Sequence, residues 1–446
     1  MSGSTFSHSL DSLRQIAADA LAHARGLGAS AAETEVSDGF GHNVTVRLGE
    51  VETIEYNRDK GVGVTVYLGQ QRGHASTSDF SAQALRETVE AALSIARFTA
   101  PDECAGLADP DLLARDVHDP DLYFPWELSV EEAIERARTC EAAALGVDRR
   151  ITKSEGATVS TQQSHFIYAN SLGFSDGYPS SRHSLVCSVI AVEGEEMQRD
   201  DWYAVARAAD DLESVEEVGR TAGRRCVRRL GARRLETMEV PVLFEAPVAA
   251  SLLGHFVGAV SGGSLYRKAS FLLDSLGQQV FAPFIQIHDV PDLRRGLASS
   301  PFDDEGVVTR RRDIVRDGVL HGYFLGSYSA RKLGMRSTGN AGGNHNLILD
   351  STGEDFPALL RKLGSGLLVT ELLGMGVNPV TGDYSRGAAG FWVENGEAAY
   401  PVQEITIAGN LKDMFKSIVA IGNDVVVRGS RQCGSILLER MTVAGE

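Results

Sequence analysis

The strongest constraint on the fold is a switch of hydrophobic periodicity that occurs twice along the chain and then stops. Leu10, Leu13, Ile16, Ala17, Leu21 and Ala24 recur at helical spacing, with Gly26 placed to end the pattern as a C-terminal cap. The runs 43–48, 51–56 and 62–68 follow, rich in Val, Thr, Ile and Tyr and separated by Gly and charged turn residues, as antiparallel strands require. Helical spacing then returns in Leu85, Val89, Ala92, Leu93 and Ala96, behind Asp79 or Ser81 as cap.

Residues 101–125 are dense in Asp and Pro and carry no periodicity, which predicts a linker. The same plan then repeats. Ser129 with Glu132 forms a capping-box pattern opening a helix that ends at Gly146, strands are predicted over 152–206, and Ser214 with Glu217 opens a helix reaching Leu230. The two halves share this plan but no sequence motif. Beyond Leu235 Gly becomes frequent and strand signals dominate. Asp317-Gly318 and Asn395-Gly396 mark type I′ hairpins, and Pro247 sits where the first turn of a helix after strand 240–244 tolerates a missing N–H. The expected fold class is α+β: two N-terminal helix-strands-helix subdomains over 1–105 and 120–231, then a mainly antiparallel β domain over 235–446.

A chain of 446 residues has room for about three domains, each with its own core. Cys104, Cys140, Cys187, Cys226 and Cys433 are odd in number and scattered, which argues against a disulfide framework and for a reducing compartment. Residues 1–15 lack a cationic stretch followed by an apolar one, and no later run is apolar enough to span a bilayer, so a soluble cytoplasmic protein is expected. A net charge of −17 repels nucleic acid and anionic lipid, so neither is expected as a partner. The run Arg220, Arg224, Arg225, Arg228, Arg229, Arg233 and Arg234 is the local exception; it reads as a solvated helix end, or as a contact for an acidic partner.

Generic catalytic motifs are missing: there is no G-x-S-x-G, P-loop, complete G-x-G-x-x-G or H-E-x-x-H. Gly258–Gly262 reads GAVSG, which puts Ser261 one residue off the nucleophile pattern, and Gly374-Met375-Gly376 reads as a turn. His183 and Cys187 are four apart within a segment that reads as a strand, and His255 has no obvious carboxylate opposite it.

The segment from Leu252 to Lys268, LLGHFVGAVSGGSLYRK, resembles the metal-binding helix of the TldD/PmbA family, and the chain resembles its PmbA (TldE) branch. YANSLGF from Tyr168, SRHSLVCSVIA from Ser181, SSPFDDEGV from Ser299, NPVTGDYSRGAAGFWVENGE from Asn378 and the closing CGSILLERMTVAGE carry the same resemblance. In the TldD branch this helix bears H-E-x-x-x-H: two histidines bind zinc, the glutamate is the general base, and a cysteine near the C-terminus completes the site. Two such ligands leave an open position at which zinc lowers the pKa of water to about 7.

Counted back from Arg267-Lys268, the first histidine position falls on Gly254, the glutamate on His255 and the second histidine on Ala259. Cys433 matches the third ligand but has no partners. The resemblance therefore implies no catalytic residue and no metal in this chain, with zinc held by a TldD-like catalytic subunit in a cytoplasmic complex. Its substrates would be unfolded or small peptides, including a peptide-antibiotic precursor and an antitoxin. Asn378, Asp383, Tyr384 and Arg386, read as a loop, are the candidate peptide contacts, and a peptide could add as a strand to a sheet edge. An autonomous peptidase, a regulatory protein-binding factor of the gyrase-modulator type, and a homodimer of the lone chain are the alternatives.

Overall fold

Capping chemistry sets the helix starts in the structure, a computed structural model that describes residues 5–445. Residues 1–4 of the segment read for a leader, and the closing Glu446, lie outside the described residues. Helix α1 (Leu10–Gly26) starts behind Ser9, whose hydroxyl accepts the Ser12 N–H. Strands β1 (Ala31–Arg47), β2 (Glu50–Leu68) and β3 (Gln71–Thr77) follow, then α2 (Ala82–Phe98), capped by Ser81. The predicted runs 51–56 and 62–68 are thus one continuous strand, and it is Gly28, at φ 90°, that turns the chain after α1.

The second plan comprises α3 (Val130–Leu145), β4 (Ile151–Asn170), the two-residue β5 (Ser175–Asp176), β6 (Pro179–Glu193), β7 (Glu196–Ala206) and α4 (Val215–Arg228). At α3 both halves of the capping box form: Ser129 accepts the Glu132 N–H, and Glu132 accepts the Ser129 N–H. At α4 only Ser214 does its part, because Glu217 is drawn to Arg220 and Arg224. In the ANSLG turn Gly173 takes positive φ (97°), while Asn170 works through its side chain, accepting the Leu172 N–H.

The two plans share one antiparallel sheet, ordered β3-β2-β1-β4-β6-β7 with β5 on β4. β1 and β4 join the halves from Glu33↔Asn170 to Val46↔Ala157. Alternation along β1 puts Val36 and Val44 on one face, where α1 and α2 cover one end and α3 and α4 the other. The second face meets the SSPFDDEGV block, where Phe302 packs among Phe166, Phe174 and Tyr178.

The C-terminal region runs β8 (Met238–Phe244), α5 (Ala246–Ala259), α6 (Gly262–Tyr266), β9 (Ile287–Val290), β10 (Arg312–Arg316), β11 (Val319–Leu320), α7 (Ser327–Lys332) and β12 (Asn346–Leu349). It continues through α8 (Phe356–Leu363), β13 (Gly366–Leu373), β14 (Asp383–Glu394), β15 (Glu397–Asn410), α9 (Leu411–Lys416), β16 (Ile418–Ile421), β17 (Arg431–Gln432) and β18 (Ile436–Ala444). Asp317 and Gly318 have φ of 50° and 74°, and Asn395 and Gly396 have 53° and 80°, the left-handed pair a type I′ hairpin needs. One sheet runs β15-β14-β13-β8-β18-β16, and β15 also pairs with β18, so five of its strands close into a ring. The other runs β11-β10-β9-β12-β17.

The arginine-rich run is partly a solvated helix face and partly a clamp: Arg220 and Arg224 are exposed and pair with Glu217 of their own helix, whereas the rest reach the C-terminal region. Arg225 donates to Glu245 at 2.8 and 3.0 Å, and Arg229 reaches Glu371 at 2.5 Å. Arg228 lies over Phe391, Arg233 over Tyr400, and Arg234 pairs with Glu404. The acidic partners and aromatic faces belong to the C-terminal region of the same chain, so α4 fastens the large sheet to it.

Candidate functional site

Helix α5 buries an apolar stripe that includes the motif position Ala259 and leaves the other two, Gly254 and His255, beside it. Ala249, Leu252, Leu253, Phe256 and Ala259 enter the core, with Phe256 edge-on to Phe281. Pro247 occupies the first turn, as its missing N–H allows. Gly254 and His255 are only half-buried. The Ala259 carbonyl is taken by the Ser270 hydroxyl at 2.6 Å.

Two other elements meet α5 at these positions. From β14, Tyr384 and Arg386 sit two residues apart and so share a face; the Tyr384 ring stands 5.8 Å from that of His255, edge to face. From β17, Arg431 reaches Gly254, where a Cβ would lie 2.0 Å from Arg431 Nη1. A guanidinium therefore occupies space that a side chain at the first histidine position would claim.

The electrostatics follow from this crowding. Burial lowers the His255 pKa, and Arg386 and Arg431 lower it further, so the imidazole is neutral at physiological pH. Burial pushes the Tyr384 phenol up to about 12, against the opposing pull of Arg386. His255 Nε2, Tyr384 Oη and Arg386 Nε are buried without a hydrogen-bond partner among the described residues; Arg386 approaches the Tyr384 hydroxyl without reaching hydrogen-bond geometry. Neither Arg386 nor Arg431 has a carboxylate within ion-pair distance among the described residues.

These residues do not fit zinc. Gly254 and Ala259 carry no donor atom, and His255 cannot act as a carboxylate base. Cys433 is 1% exposed, and burial, aided by Asp424, pushes its thiol up to about 12, far from the thiolate that a metal needs. Two guanidinium groups beside the position add repulsion for a cation.

The candidate peptide contacts divide. Tyr384 and Arg386 face α5, whereas Asn378 and Asp383 fold the approach to β14: Asn378 accepts the Val380 N–H, and Asp383 accepts the Thr381 hydroxyl and the Asn410 amide. Residues from Asp383 onward lie in a strand rather than a loop. Ser261 bonds to the Gly258 carbonyl and to Ser264, with no base beside it. His183 and Cys187 lie on β6, where His183 Nε2 meets the Phe124 carbonyl at 2.9 Å. Arg431 was not legible as a site residue, although the loss of a side chain at Gly254 was the sequence trace of the space it fills.

Comparisons with known proteins identify the family of the chain. The PmbA/TldA metallopeptidase family matches in three consecutive pieces: domain 1 over residues 32–96, the central domain over 123–230 and the C-terminal domain over 237–445. Metalloprotease PmbA of Escherichia coli O157:H7 is 53% identical over 415 residues, covering 93% of this chain and 92% of that one. The metalloprotease PmbA homolog of Haemophilus influenzae is 49% identical over 434 residues, covering 97% and 96%. A crystal structure from Bacteroides thetaiotaomicron, of a protein described as a candidate modulator of DNA gyrase, superposes with a TM-score of 0.92 at 27% identity, covering 97% of this chain and 99% of that one. With three domain matches in order and close relatives along almost the full length, the chain belongs to the PmbA/TldD metallopeptidase family.

Proposed function

We propose that this chain is the zinc-free subunit of a two-chain metallopeptidase, paired with a TldD-like catalytic subunit that hydrolyses unfolded or small peptides in the cytoplasm. The observation that carries the reading is the replacement of a ligand by a cation: Arg431 fills the side-chain space of Gly254. Loss of one ligand weakens a metal site, but a guanidinium put in its place opposes the ion. The partner then supplies the metal-activated water, and this chain supplies cavity wall, peptide contacts and assembly surface. Peptide-antibiotic precursors and antitoxins are the substrates that suit such a pair.

Purification of the chain alone and with its TldD-like partner, with zinc per chain and cleavage of an unstructured peptide measured in each, tests this. The lone chain is expected to hold no stoichiometric zinc and to cleave nothing, and the pair to do both. Stoichiometric zinc and cleavage in the lone chain would overturn the reading in favour of an autonomous peptidase. Cleavage that survives removal of the partner's motif glutamate would do the same.

A further inference from the structure

We infer that the degenerate metal position has become a carboxylate-binding site, in which Arg431 and Arg386, with Tyr384 and His255, receive a carboxylate of a peptide substrate. The inference deepens the non-catalytic reading and rests on it for the identity of the ligand as a peptide. Three polar atoms on three touching or facing side chains, His255 Nε2, Tyr384 Oη and Arg386 Nε, are buried without partners. An unsatisfied buried polar atom costs about 1–3 kcal/mol, so a cluster of three calls for a ligand that satisfies them. Tyr384 is 1% exposed, so bulk water does not serve its hydroxyl freely.

The sign of that ligand follows from the groups around it. Two guanidinium groups flank His255, and neither has an ion-pair partner among the described residues, in a chain of net charge −17. Arg225, Arg229 and Arg331 have carboxylate partners, and the part-buried Arg207, Arg312 and Arg428, which have none, donate to carbonyl oxygens instead; Arg386 and Arg431 form neither kind of bond among the described residues. Guanidinium N–H groups pair with a planar carboxylate in a two-toothed arrangement, and the phenol adds a further donor. Arg431 is exposed and sits on the terminal strand of its sheet, so an extended peptide can approach the site from that side.

The test is direct binding to the full-length lone chain, read by calorimetry, of one unstructured peptide in four forms. These are the free acid, the C-terminal amide, the amide with an internal Glu, and the amide with Gln in its place; inorganic phosphate is the fifth ligand. The expected result is that a form carrying a carboxylate binds at least tenfold more tightly than its neutral counterpart. The free-acid pair and the Glu/Gln pair report separately whether the terminus or a side chain supplies it. Arg431→Ala and Arg386→Ala should each remove most of that difference, and Arg431→Lys should restore part of it. Gly254→Ala, which pushes the Arg431 guanidinium away without touching a charge, should weaken carboxylate binding severalfold.

Equal binding of every acid and neutral pair, or full binding by folded Arg431→Ala protein, would overturn the inference. Phosphate binding as tight as that of the peptide acid would overturn the peptide assignment. Zinc content and cleavage are not read in this experiment, so its failure is distinct from failure of the non-catalytic reading.

Discussion

Arg431 and Gly254 are complementary in shape: the guanidinium of one lies 2.0 Å from the place where the other would carry a Cβ. The close group is the far end of a flexible side chain, so a methyl here displaces Arg431 without moving backbone. Ala in a helix interior is favoured over Gly by roughly 0.5–1 kcal/mol. Gly254→Ala is therefore expected to leave stability unchanged or raise it by up to that amount. Chemical denaturation of the lone chain measures this, and a loss above about 1 kcal/mol would mean that Arg431 is fixed in place.

The opposite outcome is expected at Gly219 on α4. A Cβ there would lie 2.0 Å from the Cys140 carbonyl oxygen and 3.1 Å from the Ala143 side chain, both on α3. The obstacle is backbone, and it cannot swing aside. Gly219→Ala should force α3 and α4 apart and cost on the order of 1–3 kcal/mol, in spite of the better helix propensity of Ala. An unfolding midpoint equal to that of the wild type would show that the two helices separate without cost.

What the sequence disclosed was local, and what it hid was long-range. Ser81, Ser129, Asp317-Gly318 and Asn395-Gly396 act through bonds or dihedrals within a few residues, and each does in the structure what its type predicts. The pairing of β1 with β4 joins residues more than a hundred positions apart and left no local trace. Strand β2 was read as two pieces because residues 57–61, NRDKG, carry no apolar alternation; they are at or near the surface and need none. The arginine run is exposed at Arg220 and Arg224, as charge density suggests, but its long-range partners Glu245, Glu371 and Glu404 left no local trace. Gly254, His255 and Ala259 lie on a helix, as their spacing suggests, but Arg431, far along the chain, was invisible until β17 came beside it.

The Arg225–Glu245 pair links that clamp to the candidate site, because Glu245 precedes the first turn of α5. The side chains are 14% and 21% exposed, and Asp200 shares the guanidinium at 3.3 Å. Arg225→Met leaves Glu245 without its cation and Asp200 with only Arg229, at 3.6 Å, and should cost about 2–4 kcal/mol. Glu245→Gln should cost less, because Asp200 still holds the arginine. In a double-mutant cycle the two changes together should cost clearly less than their sum, and strict additivity would mean that the pair does not interact.

Asp303 predicts a pH dependence of opposite sign to that of a salt-bridged acid. Its carboxyl accepts N–H groups from Ala341, Glu305 and Val307, yet burial dominates and raises its pKa to about 7. The folded state therefore holds this proton over a range where the unfolded chain, with a pKa near 3.8, has released it. Between those values the native state binds more protons, so stability falls as pH rises through the window. From pH 5.5 to 7.5 this single group should lower unfolding free energy by about 1–2 kcal/mol. Asp303→Asn removes the term, so the wild type should lose stability relative to the variant by that amount over the same interval. Denaturant unfolding of both proteins at the two pH values measures it. A difference that stays constant, or that moves in favour of the wild type as pH rises, would show that the three N–H groups hold the carboxylate ionised in spite of its burial.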